Sequence, residues 1–415
     1  MKNLETLIQE LCPDGLEFVK LGDVGTFYGG LSGKSKADFT DGNAKFVTYM
    51  NVYSNPALNT DIKDFVKIEE GEKQNKVLYG DILFTGSSET PNECGMTSVL
   101  TEKTEEDLYL NSFCFGYRFN DIDEVNPGFM KHLFRSHMLR KALAKTASGV
   151  TRFNVSKKKV ANIEIPLPPI EVQTEIVRIL DKFTSLEAEL EAELDCRKRQ
   201  YEYYRDKLLS FDNEGGQEVE WKKMSEVCKN ICSGGTPLTS KAEYYDGNIP
   251  WLRTQEVDYC EIHSTLRNIT QLGLENSSAK MIPANCVIVA MYGATAAKVA
   301  INKIPLCTNQ ACCNLEIDEK QALVRYVYQW ICKQYEVLKA MGEGSQHNIN
   351  AKKVKDFKIP IPTLEEQNRI VSILDRFESL TTSLQSGLPA EITARRQQYE
   401  HYRDKLLTFK RKGAA

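Results

Sequence analysis

The sequence predicts an α+β chain built as a tandem duplication: two small β-sheet-plus-helix domains, each followed by a long helix. The two helices are expected to pair as an antiparallel coiled coil with pseudo-twofold symmetry. Three observations predict this. Residues 200–211 read QYEYYRDKLLSF and residues 398–409 read QYEHYRDKLLTF, which agree at ten of twelve positions. Residues 163–181, IEIPLPPIEVQTEIVRILD, match residues 357–375, FKIPIPTLEEQNRIVSILD. Through both segments the apolar residues recur in steps of three and four, the period of a helical seam.

The resulting division is a first domain at 1–160, a first helix at 161–212, a second domain at 213–355 and a second helix at 356–410. In the first domain, residues 45–52, 77–84 and 113–119 read as strands; in the second, residues 249–252, 286–291 and 312–317 do. Each domain then carries one helical stretch, 128–146 and 321–341. Strands followed by a helix argue for α+β rather than a doubly wound sheet. Fainter correspondences run in register through both domains. Phe18 pairs with Trp221, Val24 with Val227, Gly29-Gly30 with Gly234-Gly235, Ser35-Lys36-Ala37 with Ser240-Lys241-Ala242, Phe46 with Trp251 and Asn111 with Asn309.

The first long helix carries Ile176, Leu180, Phe183, Leu190, Leu194, Arg197, Tyr201, Tyr204, Leu208 and Phe211 on one stripe. From 171 to 211 it spans about 60 Å at 1.5 Å per residue. Pro166, Pro168 and Pro169 suit a stiff approach to its first turn. The second copy carries Ile370, Leu374, Phe377, Leu384, Ile392, Tyr399, Tyr402, Leu406 and Phe409. It holds four extra residues, with Gly387 and Pro389 at the insertion, and these are expected to kink or break the helix. Each stripe is longer than a small domain can cover, so the helices are expected to pack on each other. Their near-identical ends, Tyr201, Tyr204, Arg205, Leu208 and Phe211 with Tyr399, Tyr402, Arg403, Leu406 and Phe409, read as a partner surface present twice.

Composition narrows the function classes. A chain of 415 residues with 41% hydrophobic and 27% charged residues is ordinary for a soluble globular protein. It has no apolar run of the roughly eighteen residues a membrane span needs, and its N-terminus is not a signal peptide, so a cytoplasmic location is expected. The net charge of −4 argues against a protein that coats DNA through bulk positive charge. Twelve cysteines include no Cys-x2-Cys pair, so reduced thiols and no metal site are expected. The chain has no P-loop, no dinucleotide-binding glycine loop and no nucleophile elbow. Asn126-Pro127-Gly128-Phe129 resembles the N-P-P-F motif of adenine methyltransferases, but glycine replaces the second proline and no AdoMet-binding glycine loop precedes it. It reads as a turn into a helix. No catalytic residue and no cofactor is assigned.

Polar loops supply the candidate binding residues. In the first domain these are Gly29, Gly30, Lys34, Lys36, Thr85, Ser87, Asn111, Thr151, Arg152 and Lys158. In the second they are Gly234, Gly235, Thr236, Lys241, Arg253, Tyr292, Asn309, Gln310, Ser345, Gln346 and His347. Arginine and amide side chains match the hydrogen-bonding edges of guanine and adenine, and the lysines suit phosphates. From composition alone, ordinary turns and solvated faces are the favoured reading of these residues.

Taken in order, LCPDGLEFVKLGDV at 11–24, SGGTP at 233–237, the doubled IPxPxxExQxxIVxILD segment and the doubled QYExYRDKLLxF end resemble the specificity subunits of type I restriction-modification systems. The resemblance covers nearly the whole chain. It implies two target recognition domains, each reading one half of a bipartite site in double-stranded DNA. It further implies two spacer helices that dock two methyltransferase subunits, restriction and translocase subunits in the full complex, and no catalysis by this chain. In such subunits helix length is tied to the unread gap between half-sites, which makes the four-residue inequality of the copies notable. A structural coiled-coil adaptor without DNA readout is the alternative.

Overall fold

The protein is described here from a computed structural model, which covers residues 3–211, 219–343, 348–382 and 386–413. It divides into two compact units: residues 1–191 with 391–415, and residues 192–390. Each unit contains the same parts. These are a globular domain, the first half of the helix that follows it, and the last half of the helix that follows the other domain.

In the first unit, Gly25–Gly29, Cys114–Phe119, Ile82–Thr85 and Thr97–Val99 form a four-stranded antiparallel sheet. A second four-stranded sheet runs Phe65–Val66, Ala44–Val47, Leu108–Leu110, Lys76–Val77. It contains one parallel pair, Phe46 beside Tyr109. The second unit repeats this plan with Cys228–Ser233, Cys312–Ile317, Val287–Ala290, Val299–Asn302 and Cys260–Ile262 in one sheet. Its second sheet again holds a parallel pair, Trp251 beside Cys307. A short ribbon closes each domain at its base: Phe18 opposite Pro166, and Trp221 opposite Pro360.

These ladders confirm the pairings of Phe18 with Trp221, Phe46 with Trp251 and Asn111 with Asn309. They correct one pairing. Gly29 lies opposite Phe115 and Ser233 lies opposite Cys313, so Gly30 is equivalent to Gly234, not to Gly235. The one-residue shift arises at an irregularity between Cys228 and Asn230.

Other sequence expectations are revised locally. Residues 45–52 are not one strand: Ala44–Val47 ends where the Thr48 side chain caps the helix Tyr49–Ser54 by accepting from the Asn51 N–H at 3.3 Å. The expected strand 77–84 is interrupted at Gly80, with φ +84°, and the buried Asp81. The helix expected at 128–146 is two helices, Pro127–Leu133 and His137–Ala144, because Ser136 caps the second. Its counterpart divides likewise into Val324–Lys333 and Tyr335–Ala340.

The first long helix is continuous over Ile170–Leu208, 39 residues. The second is divided into Leu364–Thr382 and Leu388–Leu406, with Ser386 and Gly387 non-helical as the insertion predicts; Leu384 lies outside the described residues. Twin buried glutamines join each long helix to its own domain. Gln173 accepts from the Asn126 N–H at 2.9 Å and donates to the carbonyls of Glu124 and Pro168 at 2.9 and 2.7 Å. Gln367 accepts from the Leu323 N–H at 2.8 Å and donates to Gln321 and Pro362 at 3.0 and 2.9 Å.

Within each unit the two helix halves pack antiparallel. In the first, Phe183 stacks on Tyr402 with ring centroids 5.3 Å apart, and Arg396 pairs with Glu187 and Glu191. In the second, Tyr204 stacks on Phe377 at 5.4 Å. No helix among the described residues is long and apolar enough to cross a membrane.

Candidate nucleic-acid interface

Four segments of the first unit converge on an open cavity of about 740 Å³ whose walls include Tyr49, Tyr53, Ser87, Phe113, Thr151 and Arg152. Secondary structure brings them together. Phe153 pairs with Ser88 and Asn154 with Ser87, which places Arg152 beside the strand Ser87–Ser88. The Arg152 Nε donates to Ser87 Oγ at 3.1 Å, and the guanidinium lies 5.7 Å from the Phe113 ring centroid. Asn111 holds the turn under Phe113 by accepting from its N–H at 2.8 Å. The Tyr49 hydroxyl donates to the Ser87 carbonyl at 2.8 Å, and Tyr53 donates to Glu93 at 3.0 Å. Phe113 itself remains 60% exposed. The result is an arginine fixed at one nitrogen, with its forked terminal nitrogens at an open surface beside an aromatic ring. That geometry suits a planar acceptor pair.

In the second unit the equivalent strand ladder carries different side chains. Ala290 pairs with Cys312 as Thr85 does with Cys114, so Tyr292 stands where Ser87 stands and Ala311 replaces Phe113. Tyr292 is 39% exposed. The Thr236 hydroxyl donates to the Gln310 side-chain carbonyl, which orients that amide. Asn309 accepts a weak bond from the Cys312 thiol at 3.3 Å. Arg253 is the least satisfied cation here. Its Nε is buried without a hydrogen bond, and the nearest carboxylate oxygen, on Glu256, is 3.8 Å away. Ser345, Gln346 and His347 lie outside the described residues.

Several candidate residues prove to be structural. Thr85 is fully buried and accepts from the Met96 N–H at 2.9 Å, so it faces the core. Lys34 is spent on Glu72 at 2.6 Å with little of its side chain exposed. A Cβ on Gly30 would lie 2.1 Å from the Asn111 carbonyl, one on Gly234 2.0 Å from that of Thr308, and one on Gly235 2.3 Å from Ser278 and Ala279. Those three glycines permit close backbone packing. Gly29, by contrast, has open space at its Cβ position. Lys36, Lys158, Lys241 and Thr151 are exposed. Sequence reasoning missed Tyr49, Tyr53 and Phe113, because it placed the first in a strand and the last at a strand's start. The Thr48-x-x-Asn51 cap was the available signal for the first two.

The helix ends also turn inward. Tyr201, Leu208 and Phe211 pack against the core of the second unit, where Leu209 is 1% exposed. Tyr399, Leu406 and Phe409 pack against the core of the first, where Leu407 is 2% exposed. Arg205 and Arg403 lie over the rings of Tyr201 and Tyr399. Of the residues expected to form a partner surface, only Tyr204 and Tyr402 keep about two-fifths of their surface exposed, at 39% and 41%.

Two α+β domains with diverged side chains on equivalent loops thus alternate with closely similar helices. The family of the type I restriction modification DNA specificity domain matches residues 13–195 and again 217–394, and the chain belongs to that family. It is 44% identical over 268 residues to the type I restriction enzyme EcoR124I/EcoR124II specificity subunit of Escherichia coli. That match spans 62% of this chain and 64% of that subunit. A chain from a structural study of complex assembly and conformational transition of the type I R-M system superposes with a TM-score of 0.64 at 18% identity, over 95% of this chain and 98% of its own. The S subunit of a type I system from M. genitalium gives a TM-score of 0.52 at 15% identity, over 95% and 96%.

Proposed function

We propose that this chain is the specificity subunit of a type I restriction-modification complex, supplying sequence readout of double-stranded DNA and no catalytic group. The first domain (1–160) and the second (213–355) each read one half of a bipartite site, and the helices at 161–212 and 356–410 set their separation. The observation that carries this reading is the Arg152–Ser87–Phe113 cluster and its side-chain divergence to Tyr292 and Ala311 on the equivalent strand ladder. Arg152 presents its terminal nitrogens to O6 and N7 of a guanine in the major groove. Arg253 is the corresponding arginine of the other half-site, meeting a base through its terminal nitrogens, while its buried Nε takes no part in the contact. Lys36, Lys158 and Lys241 hold phosphates and fix the register.

Two methyltransferase subunits dock on the helical region, through the exposed rings of Tyr204 and Tyr402, and restriction and translocase subunits complete the assembly. With this division of labour the chain's own net charge of −4 is compatible with DNA binding, because partners contribute phosphate contacts. The test is methylation mapping by the chain assembled with its methyltransferase subunits, comparing the wild type with a chimera whose second domain comes from a diverged sequence. A motif that changes in one half only supports the reading. A motif unchanged in both halves overturns it.

A further inference from the structure

The turn between the strands Leu108–Leu110 and Cys114–Phe119 holds an aromatic ring out at the open cavity of the first unit. Phe113 is pinned at both backbone ends. Its N–H donates to the Asn111 side chain at 2.8 Å, and its carbonyl accepts from the Gly86 N–H at 2.8 Å. The ring is 60% exposed, and so is Met50 on the same cavity wall. Met50 sits on the short helix that Thr48 caps. Neighbouring polar groups are engaged: the Tyr49 hydroxyl donates to the Ser87 carbonyl at 2.8 Å, and Glu93 accepts from the Tyr53 and Thr90 hydroxyls at 3.0 and 2.7 Å. The cavity therefore offers, beside Arg152, apolar surface on a rigid mount.

The second unit builds the same turn without that surface. The Cys312 N–H donates to the Asn309 carbonyl at 3.2 Å, as Cys114 does to Asn111 at 3.0 Å. Between them the buried Ala311 stands where Phe113 stands. Four residues beyond Trp251 the second unit has the exposed Gln255, where the first has Met50 four residues beyond Phe46. The turn thus folds without the ring, and Phe113 is a feature of the first domain's surface rather than of its core.

Apolar surface gains free energy when other apolar surface covers it. Along the major-groove edges of base pairs the apolar group is the C5 methyl of thymine. The Phe113 ring centroid lies 5.7 Å from the Arg152 guanidinium, and successive base pairs are about 3.4 Å apart. The ring thus reaches the base pair next to the one that Arg152 meets. We propose that Phe113, with Met50 on the same wall, reads the methyl of a thymine adjacent to the guanine held by Arg152. The inference rests on the reading that Arg152 meets guanine, and the experiment separates the two.

The full chain, assembled with its methyltransferase subunits, is bound to duplexes carrying the site mapped for the wild-type complex. Each thymine is replaced in turn by deoxyuridine, which removes the methyl and leaves the hydrogen-bonding edge unchanged. One replacement, next to the guanine that Arg152→Ala relaxes, is expected to weaken binding about fourfold, the worth of one buried methyl. Phe113→Ala, which copies the turn at Ala311, is expected to bind the two duplexes alike, and Phe113→Leu to keep part of the difference. If Arg152→Ala relaxes no guanine, the guanine contact of the proposed function fails and this inference with it. If a guanine is relaxed but no deoxyuridine beside it weakens binding, the thymine readout alone is overturned. A difference that persists in Phe113→Ala overturns it too, because another group then meets the methyl. So does weakened assembly of Phe113→Ala with the methyltransferase subunits in the absence of DNA, which would make the ring a protein contact.

Discussion

The hydroxyl of Tyr399 lies 2.8 Å from Nδ1 of the buried His132, and at the equivalent place in the other unit the hydroxyl of Tyr201 donates to Gln329 at 2.7 Å. The other His132 nitrogen, Nε2, lies 2.7 Å from Asp181, so a neutral ring protonated at Nε2 donates to the carboxylate and accepts from the tyrosine. Two nearly identical helix ends thus sit in two chemically different sockets. Removing either hydroxyl leaves a buried polar partner unpaired. Tyr399→Phe and Tyr201→Phe should each cost about 1–2 kcal/mol in urea unfolding. Loss in one variant and none in the other would show that only one socket is closed.

The two sockets should differ in acid. Burial pushes the His132 pKa below its ordinary 6.5, against the pull of Asp181. Burial works against ionised Asp181 too, but hydrogen bonds from His132 and Lys131 bring it down to about 2. Both folded-state values lie below the unfolded ones, so the unfolded chain binds more protons. The stability they contribute is complete above pH 6.5 and is lost as pH falls, first through His132 and then, below about pH 4, through Asp181. Denaturant titrations from pH 8 to 5 should show the wild type weakening and His132→Gln, which copies the Gln329 socket, varying less. Parallel profiles would contradict this.

Gln173 and Gln367 each satisfy three backbone groups from a fully buried position. Alanine at either should cost about 2–4 kcal/mol, because the carbonyls and the N–H it strands have no water to replace it. The decline should appear in the unfolding of the unit that contains the substituted residue.

The glycine pair separates packing from surface. Gly234→Ala drives a methyl to 2.0 Å from the Thr308 carbonyl, whereas Gly29→Ala meets nothing within 4 Å. The first should lower the thermal midpoint by many degrees, and the second should fall within about 0.5 kcal/mol of wild type.

Much of this architecture was legible because a duplicated sequence checks itself. The pairs Phe18 with Trp221, Phe46 with Trp251 and Asn111 with Asn309 sit on matching ladders. What sequence could not supply was burial at the ends of the long helices. Tyr201 and Tyr399 fit a coiled-coil stripe, yet their hydroxyls bond to the domain helices, because each helix end completes a globular core. The site was half legible. Arg152 and Ser87 were visible as polar loop residues, but the short helix Tyr49–Ser54 that brings Tyr49 and Tyr53 to them was hidden in a run of β-prone residues. Gly234 and Gly235 look like a flexible loop in sequence, but a Cβ on either would strike neighbouring backbone, at Thr308 or at Ser278 and Ala279.

Under the proposed function each domain reads its own half-site through an arginine, Arg152 in one and Arg253 in the other. The most direct measurement is methylation mapping across all candidate sites by complexes carrying Arg152→Ala or Arg253→Ala. Each variant should relax one position in one half of the motif, at a discrimination cost of about 1–3 kcal/mol, and leave the other half as it was. A uniform loss of methylation at every sequence, or relaxation in both halves from a single substitution, would contradict it.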